Sequence, residues 1–156
     1  MSQSTEFLAD EAIILLTSML PVFELRGAIL VAMAMGMPAG RAFFFAVVGS
    51  IVPAIPILLY LPPIAAFLRK TLLRPLINWA LKRGLKRSKN IGSFQWWGLL
   101  LFVAIPIPST GVWSGSIIAS ILGLNLRQAL PPIIIGNMIA GLIVVTLVYH
   151  VPWTIL

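Results

Sequence analysis

The sequence predicts an all-α integral membrane protein: two inverted repeats, each a re-entrant helical hairpin followed by a transmembrane helix, joined by a basic amphipathic interfacial helix. Three observations predict it. The chain is 60% hydrophobic and 10% charged with a mean hydropathy of +1.04, more apolar surface than a globule of 156 residues can hide, so lipid is its natural solvent. Its apolar residues fall into four stretches, two of them interrupted at their centres. The two halves also match at one constant offset.

Residues 1–156 read as a single membrane domain. Repeat 1 covers 12–63, with a hairpin at 12–36 and a helix at 42–63; repeat 2 covers 96–151, with a hairpin at 96–124 and a helix at 129–151. Each stretch is long enough for a membrane helix at about 1.5 Å per residue. The first hairpin carries Pro21, Glu24, Arg26 and Gly27 near its middle, and the second carries IPIPSTGVWSG from Ile105 to Gly115. Proline has no amide hydrogen to donate and collides with the preceding turn, so both centres should be broken.

The linker at 64–95 has a different period. Lys70, Arg74, Asn78, Lys82 and Lys86 recur every four residues, with Leu68, Leu72, Leu76 and Trp79 on another face. That is helical spacing, and Pro75 suits the first turn of a second short piece, so two segments are expected in the headgroup plane with their cations over anionic lipid. Eight of the eleven cations lie between Arg69 and Lys89, while all four acids lie at or before Glu24. A basic cluster bracketed by membrane segments marks a cytoplasmic surface loop and excludes a nucleic-acid partner. Trp96, Trp97 and Trp153 read as interface anchors. The acidic start MSQSTEFLADE is the reverse of a secretory n-region and is taken as mature protein.

Adding 87 to positions of the first half lands Pro21 on Pro108, Ala32 on Ala119, Gly36 on Gly123, Gly49 on Gly136 and Ser50 on Asn137, with no gap. Two topologies accommodate this duplication. Fully crossing broken segments give four spans, parallel halves and both termini in the cytoplasm. Re-entrant segments leave one crossing between the units and invert them, so that the first hairpin dips from outside, the second from inside, and both termini lie outside. The second is preferred on charge. Glu24 and Arg26 would point about 200° apart on a continuous helix but share a side in an extended turn. An unpaired charge at mid-membrane costs about 2.5–3.5 kcal/mol on the mildest scale.

Glu24 is therefore the candidate proton-coupling residue, held between burial, which favours the neutral carboxyl, and Arg26, which favours the charged one. Arg26 suits an anionic head group. Candidate substrate-binding positions in the second hairpin are Pro108, Ser109, Thr110, Gly111, Ser114 and Gly115, where hydroxyls and close backbone precede a helix expected to resume near Gly115. Amides at such a start attract anions. Gly27 is expected to open the helix of the first hairpin in the same way, and Asn137, equivalent to Ser50, to bond to the tips or to Ser50 itself. His150 reads as a bystander near the interface. With no cysteine, one histidine and one carboxylate inside the membrane, neither a metal site nor a catalytic dyad is expected, and no cofactor.

LPVFELRGAI (20–29) and AIPIPSTGVWSGSIIASILGL (104–124) resemble the two signature segments of the small multidrug export protein family. That family is similar in plan to the DedA/VTT (SNARE-associated) group. The resemblance implies inverted repeats with re-entrant hairpins and translocation of lipids such as polyprenyl phosphates, with proton coupling. It also implies roles for Glu24 and Arg26 in the first tip and for Pro108 to Gly115 in the second. DedA proteins bring arginines to their second hairpin, whereas here no cation lies between Lys89 and Arg127. The functional expectation is a transporter, not an enzyme, moving an amphipathic substrate between facing tips in a prokaryotic cell (inner) membrane as a multi-pass protein. Its expected partners are membrane lipids, with anionic lipid at the linker, and a second copy in a dimer. The alternative is a non-transporting scaffold that holds anionic lipid or a partner protein through the linker.

Overall fold

The computed structural model describes residues 2–61, 91–107 and 110–150. Pro108, Ser109, Trp153 and the linker as far as residue 90 lie outside the described residues. Every regular element among the described residues is a helix: α1 Ser2–Met19, α2 Glu24–Ala34, α3 Ala39–Ile51, α4 Ile91–Ala104, α5 Val112–Leu122 and α6 Leu126–His150. After a turn at 52–53, α3 continues to Leu61, and Ala39–Leu61 and Leu126–His150 are the two helices long and apolar enough to cross a membrane. The described residues are those of an all-helical membrane protein.

Several boundaries differ from those read in the sequence. α1 starts at Ser2 rather than 12, because polar residues that apolarity does not mark can still continue a helix, and Gln3, Glu6, Leu8 and Ala9 are good formers. α4 starts at Ile91, taking 91–95 from the expected linker. α3 and α6 each start three residues early, at Ala39 and Leu126: Pro38 supplies an extended N-cap with ψ 140°, and the Asn125 carbonyl accepts from the amides of Gln128 and Ala129. Pro131 and Pro132 lie inside α6 without ending it.

The breaks fall where the prolines put them, around Pro21 between α1 and α2 and at 105–111 between α4 and α5. A Cβ on Gly115 would stand 2.7 Å from Val103 and 3.7 Å from Leu99, so the chain doubles back at the second break. α1 and α2 pack together in the same way, with Ile14 in one core with Leu25 and Ile29. Both short helices then stop at a left-handed glycine: Gly36 at φ 73° and Gly123 at φ 76°. There the amides of Met37 and Leu124 bond to the carbonyls of Ala32 and Ala119, 2.9 and 3.0 Å away. A residue with a Cβ would strain either turn.

α3 and α6 run antiparallel. Tyr149 donates its hydroxyl hydrogen to the Met37 carbonyl at 2.8 Å, Gly141 lies against Phe43, and Asn137 Nδ2 donates to Ser50 Oγ at 2.8 Å. Further along, Ala54 and Leu58 share a core with Ala129 and Ile133. One core gathers Leu25, Ala32, Ala42 and Ala46; the other gathers Val112, Ala119, Ala129 and Ile133, the same positions at the 87-residue offset. The far end of α6, at Val144 and Val148, completes the first core, and the far end of α3 completes the second. Each unit is thus finished by the other's long helix.

Lipid tails are as apolar as leucine, so close packing and hydrogen bonds hold these helices together rather than exclusion of water. The glycines permit the approach. A Cβ on Gly136 would lie 2.6 Å from the Leu100 carbonyl oxygen, and one on Gly49 2.5 Å from that of Leu15. The buried Asn137–Ser50 bond pins the crossing of α3 and α6. Asn137→Ala and Ser50→Ala should each lower stability by about 0.5–2 kcal/mol, and the double variant should lose less than their sum in detergent unfolding titrations. Strict additivity would show that the bond contributes nothing.

Candidate functional site

α2 and α5 both begin at the breaks and run outward, each of 11 residues or about 16 Å. Their first residues touch: the Glu24 carboxylate accepts hydrogen bonds from the amides of Val112, at 2.5 Å, and Trp113, at 3.3 Å. Glu24 thus stands at the positive start of its own helix and caps that of the other unit, so one carboxylate serves two N-termini. Its backbone lies at φ 47°, sparsely populated for a residue with a Cβ and costing about 1–3 kcal/mol. The surrounding hydrogen bonds hold it there. The Glu24 amide donates to the Leu20 carbonyl at 2.8 Å, and the Gly27 amide to that of Phe23 at 2.7 Å.

Gly111 gives this carboxylate its space. Its φ of 170° is open to any residue, but a Cβ there would overlap both Glu24 oxygens. Ser114 turns back to accept from the Gly111 amide at 3.0 Å, satisfying a further donor of the helix start.

Arg26 reaches the same break from the other side. Its guanidinium donates to the carbonyls of Ile105, at 3.2 Å, Ile107 and Thr110, and to Thr110 Oγ1 at 3.2 Å. The Thr110 hydroxyl lies 2.6 Å from the Ile105 carbonyl and 2.9 Å from that of Ile107. The break leaves these carbonyls without helical partners, and the guanidinium collects them in its fixed fork. Trp113, the position equivalent to Arg26, makes the reciprocal contact: its Nε1 donates to the Met19 carbonyl in the first break, 3.1 Å away.

The expected pairing of Glu24 with Arg26 in an extended turn is not what forms. α2 starts at Glu24, so both residues sit in a helical turn and each takes its hydrogen bonds from the second unit. For the same reason Gly27 does not open the helix but lies inside it, against the Phe23 ring. The second helix resumes at Val112, not near Gly115, whose role is to admit Val103. Thr110, Gly111 and Ser114 are brought to Glu24 and Arg26. Asn137 is not, its amide being given to Ser50 and the Val47 carbonyl. Trp113 and the carbonyls of Met19, Ile105 and Ile107 were not anticipated. The signal for Trp113 was its place at Arg26 plus 87, hidden by the change of residue type. Among the described residues no group of three or more metal-ligating side chains gathers.

A family model described as "Putative small multi-drug export protein" matches residues 24–143, about three quarters of the chain. The chain belongs to this family. The match opens at Glu24 and takes in the second break and most of α6, so Glu24, Arg26 and their partners in the second unit lie within the export family's shared region, while the Met19 and Leu20 carbonyls lie just before it. Comparison with the curated proteins and with the solved structures gives no match.

Gly111→Ala should drive the Glu24 carboxylate off the α5 start and destabilise the protein by about 1–3 kcal/mol. In a Glu24→Ala background the same substitution should cost almost nothing, because the colliding group is gone. Thermal melts of the two single variants and the double variant check this, and an equal loss in both backgrounds would refute the contact.

Proposed function

We propose that this export-family protein is a multi-pass membrane transporter in which two half-membrane hairpins dip from opposite faces and meet at Glu24. Its cargo is an amphipathic substrate, a lipid head group or a small lipophilic drug, which passes between the tips as Glu24 takes up and releases a proton. The observation that carries this reading is the Glu24 side chain crossing from one unit to cap the first turn of the other.

Three features support the arrangement. α3 and α6, equivalent by the 87-residue offset, run antiparallel and are the two helices long enough to cross, which favours inverted units. α2 and α5 together measure about 33 Å, close to the hydrocarbon thickness, with their N-termini meeting at its middle, the plan transporters use at a substrate site. The irregular backbone of the second break has its carbonyls answered by Arg26 and Thr110, which is what membrane depth requires.

In this conformation the anion-binding start of α5 is filled by the protein's own carboxylate. Protonation of Glu24 would weaken its hold on the Val112 and Trp113 amides and free the tips to part. An anionic head group could then take its place. Loss of the proton would return the carboxylate and expel the substrate, so two anions competing for one helix start couple proton and cargo.

Glu24→Gln keeps the shape and a carbonyl acceptor but removes the titrating charge. In proteoliposomes with an imposed pH gradient it should lower transport of labelled polyprenyl phosphate or of a lipophilic drug by at least about tenfold, with helicity unchanged. Transport equal to that of the parent would end the proposal that this residue couples protons.

A further inference from the structure

The two units differ most at the ends away from their tips. In the first unit that end is closed by the chain's own groups: Arg41 forms an ion pair with Glu11, tying α3 to α1, and the Tyr149 hydroxyl is bonded to the Met37 carbonyl. Among the described residues the equivalent end of the second unit is open. There a cavity of about 500 Å³ is lined by Gln95 and Trp96 of α4, Gly123 and Leu124 of the α5–α6 turn, and Arg127 and Gln128 of α6.

The offset explains why the closure is missing. Glu11 becomes Gly98 and Arg41 becomes Gln128, so both members of the ion pair are gone. A cation nevertheless remains, moved one position to Arg127, where the first unit has Gly40. Arg127 makes no hydrogen bond or ion pair with the described residues, and Gln128 spends its Oε1 on the Asn125 amide. Nor does any acid among the described residues pair with it. Glu6, Asp10 and Glu11 belong to α1, with Glu11 already paired, and Glu24 is held at the α5 start. Among the described residues nothing answers the charge of Arg127, which leaves its guanidinium open to an anion from the surroundings.

We propose that this cavity binds the phosphodiester head group of an anionic phospholipid. Arg127 supplies a planar, permanently charged fork for the phosphate oxygens, and Gln95 adds amide hydrogens. Trp96 sets the depth, since an indole with one wet edge settles at the level of the head groups. The cavity opens where α6, one of the two membrane-length helices, begins, which is where a spanning helix meets the head-group layer. The site lies at the end of the second unit away from the tips.

Native mass spectrometry of the detergent-purified protein, with phosphatidylglycerol added against phosphatidylcholine, tests this directly. The parent should retain phosphatidylglycerol in preference to phosphatidylcholine, and Arg127→Gln should reduce its occupancy by about five- to tenfold. Gly98→Glu should do the same by a different route, because it restores the acid that closes the first unit; a Cβ at Gly98 meets nothing within 4 Å, so the side chain fits. Replacing Lys82 and Lys86 of the linker by glutamine should leave the Arg127-dependent fraction in place. Unchanged retention in both Arg127→Gln and Gly98→Glu would overturn the site. Displacement of the lipid by millimolar inorganic phosphate, with an equal thermal shift from phosphate alone, would overturn the lipid as its ligand.

Discussion

A carboxylate at the centre of a membrane protein can be tolerated only if something positive surrounds it. Glu24 is surrounded by the starts of two helices that approach head to head, and almost every other feature of the fold serves that meeting. The prolines break the chain so that the starts of α2 and α5 come together. Gly111 leaves room for the carboxylate, and the left-handed Gly36 and Gly123 turn both short helices back toward the long ones. Arg26 is held close by without needing Glu24, because the carbonyls released by the second break accept its hydrogens. The tip is a balance of partial charges, two positive helix ends against one carboxylate and one guanidinium against a ring of carbonyls.

Such a balance has to be easy to disturb if it is to work as a gate. The bonds across the tip are charge-assisted and strong where water is excluded, but they hang on one titratable group whose backbone is itself in a strained region. The rest of the interface between units is built differently. Asn137 and Ser50 pin the α3–α6 crossing, and Val144, Val148, Ala54 and Leu58 exchange ends between the cores. These contacts do not respond to a proton. In the proposed mechanism this division of labour leaves a frame that stays joined while the tips separate.

Much of this was legible in the residues. The 87-residue register placed the two breaks, paired Ser50 with Asn137 and aligned the glycines that end α2 and α5, because backbone turns and helix crossings demand particular small residues that survive as recognisable matches. Glu24 and Arg26 stood out because charge is costly in lipid. Where each side chain reached was not legible. A spacing of two residues suggested that Glu24 and Arg26 meet each other, but orientation follows from the helix that starts at Glu24, and that start is fixed by tertiary contact with Val112. The partners of Arg26 are main-chain carbonyls, which carry no residue signature. α1 extends further than apolarity marks because its first ten residues are mostly polar, and polar residues are no obstacle to a helix.

The Glu24 carboxylate joins the two breaks by bonding across them to the start of α5. Because the chain contains no cysteine, spin labels can be placed cleanly through Val22→Cys and Ile107→Cys, both exposed and one in each break. The distance between them can then be measured by pulsed electron paramagnetic resonance. The parent should give one short, narrow population, and Glu24→Gln should add a second at longer distance. Identical distributions in the two would mean that the tips are held by something other than this carboxylate.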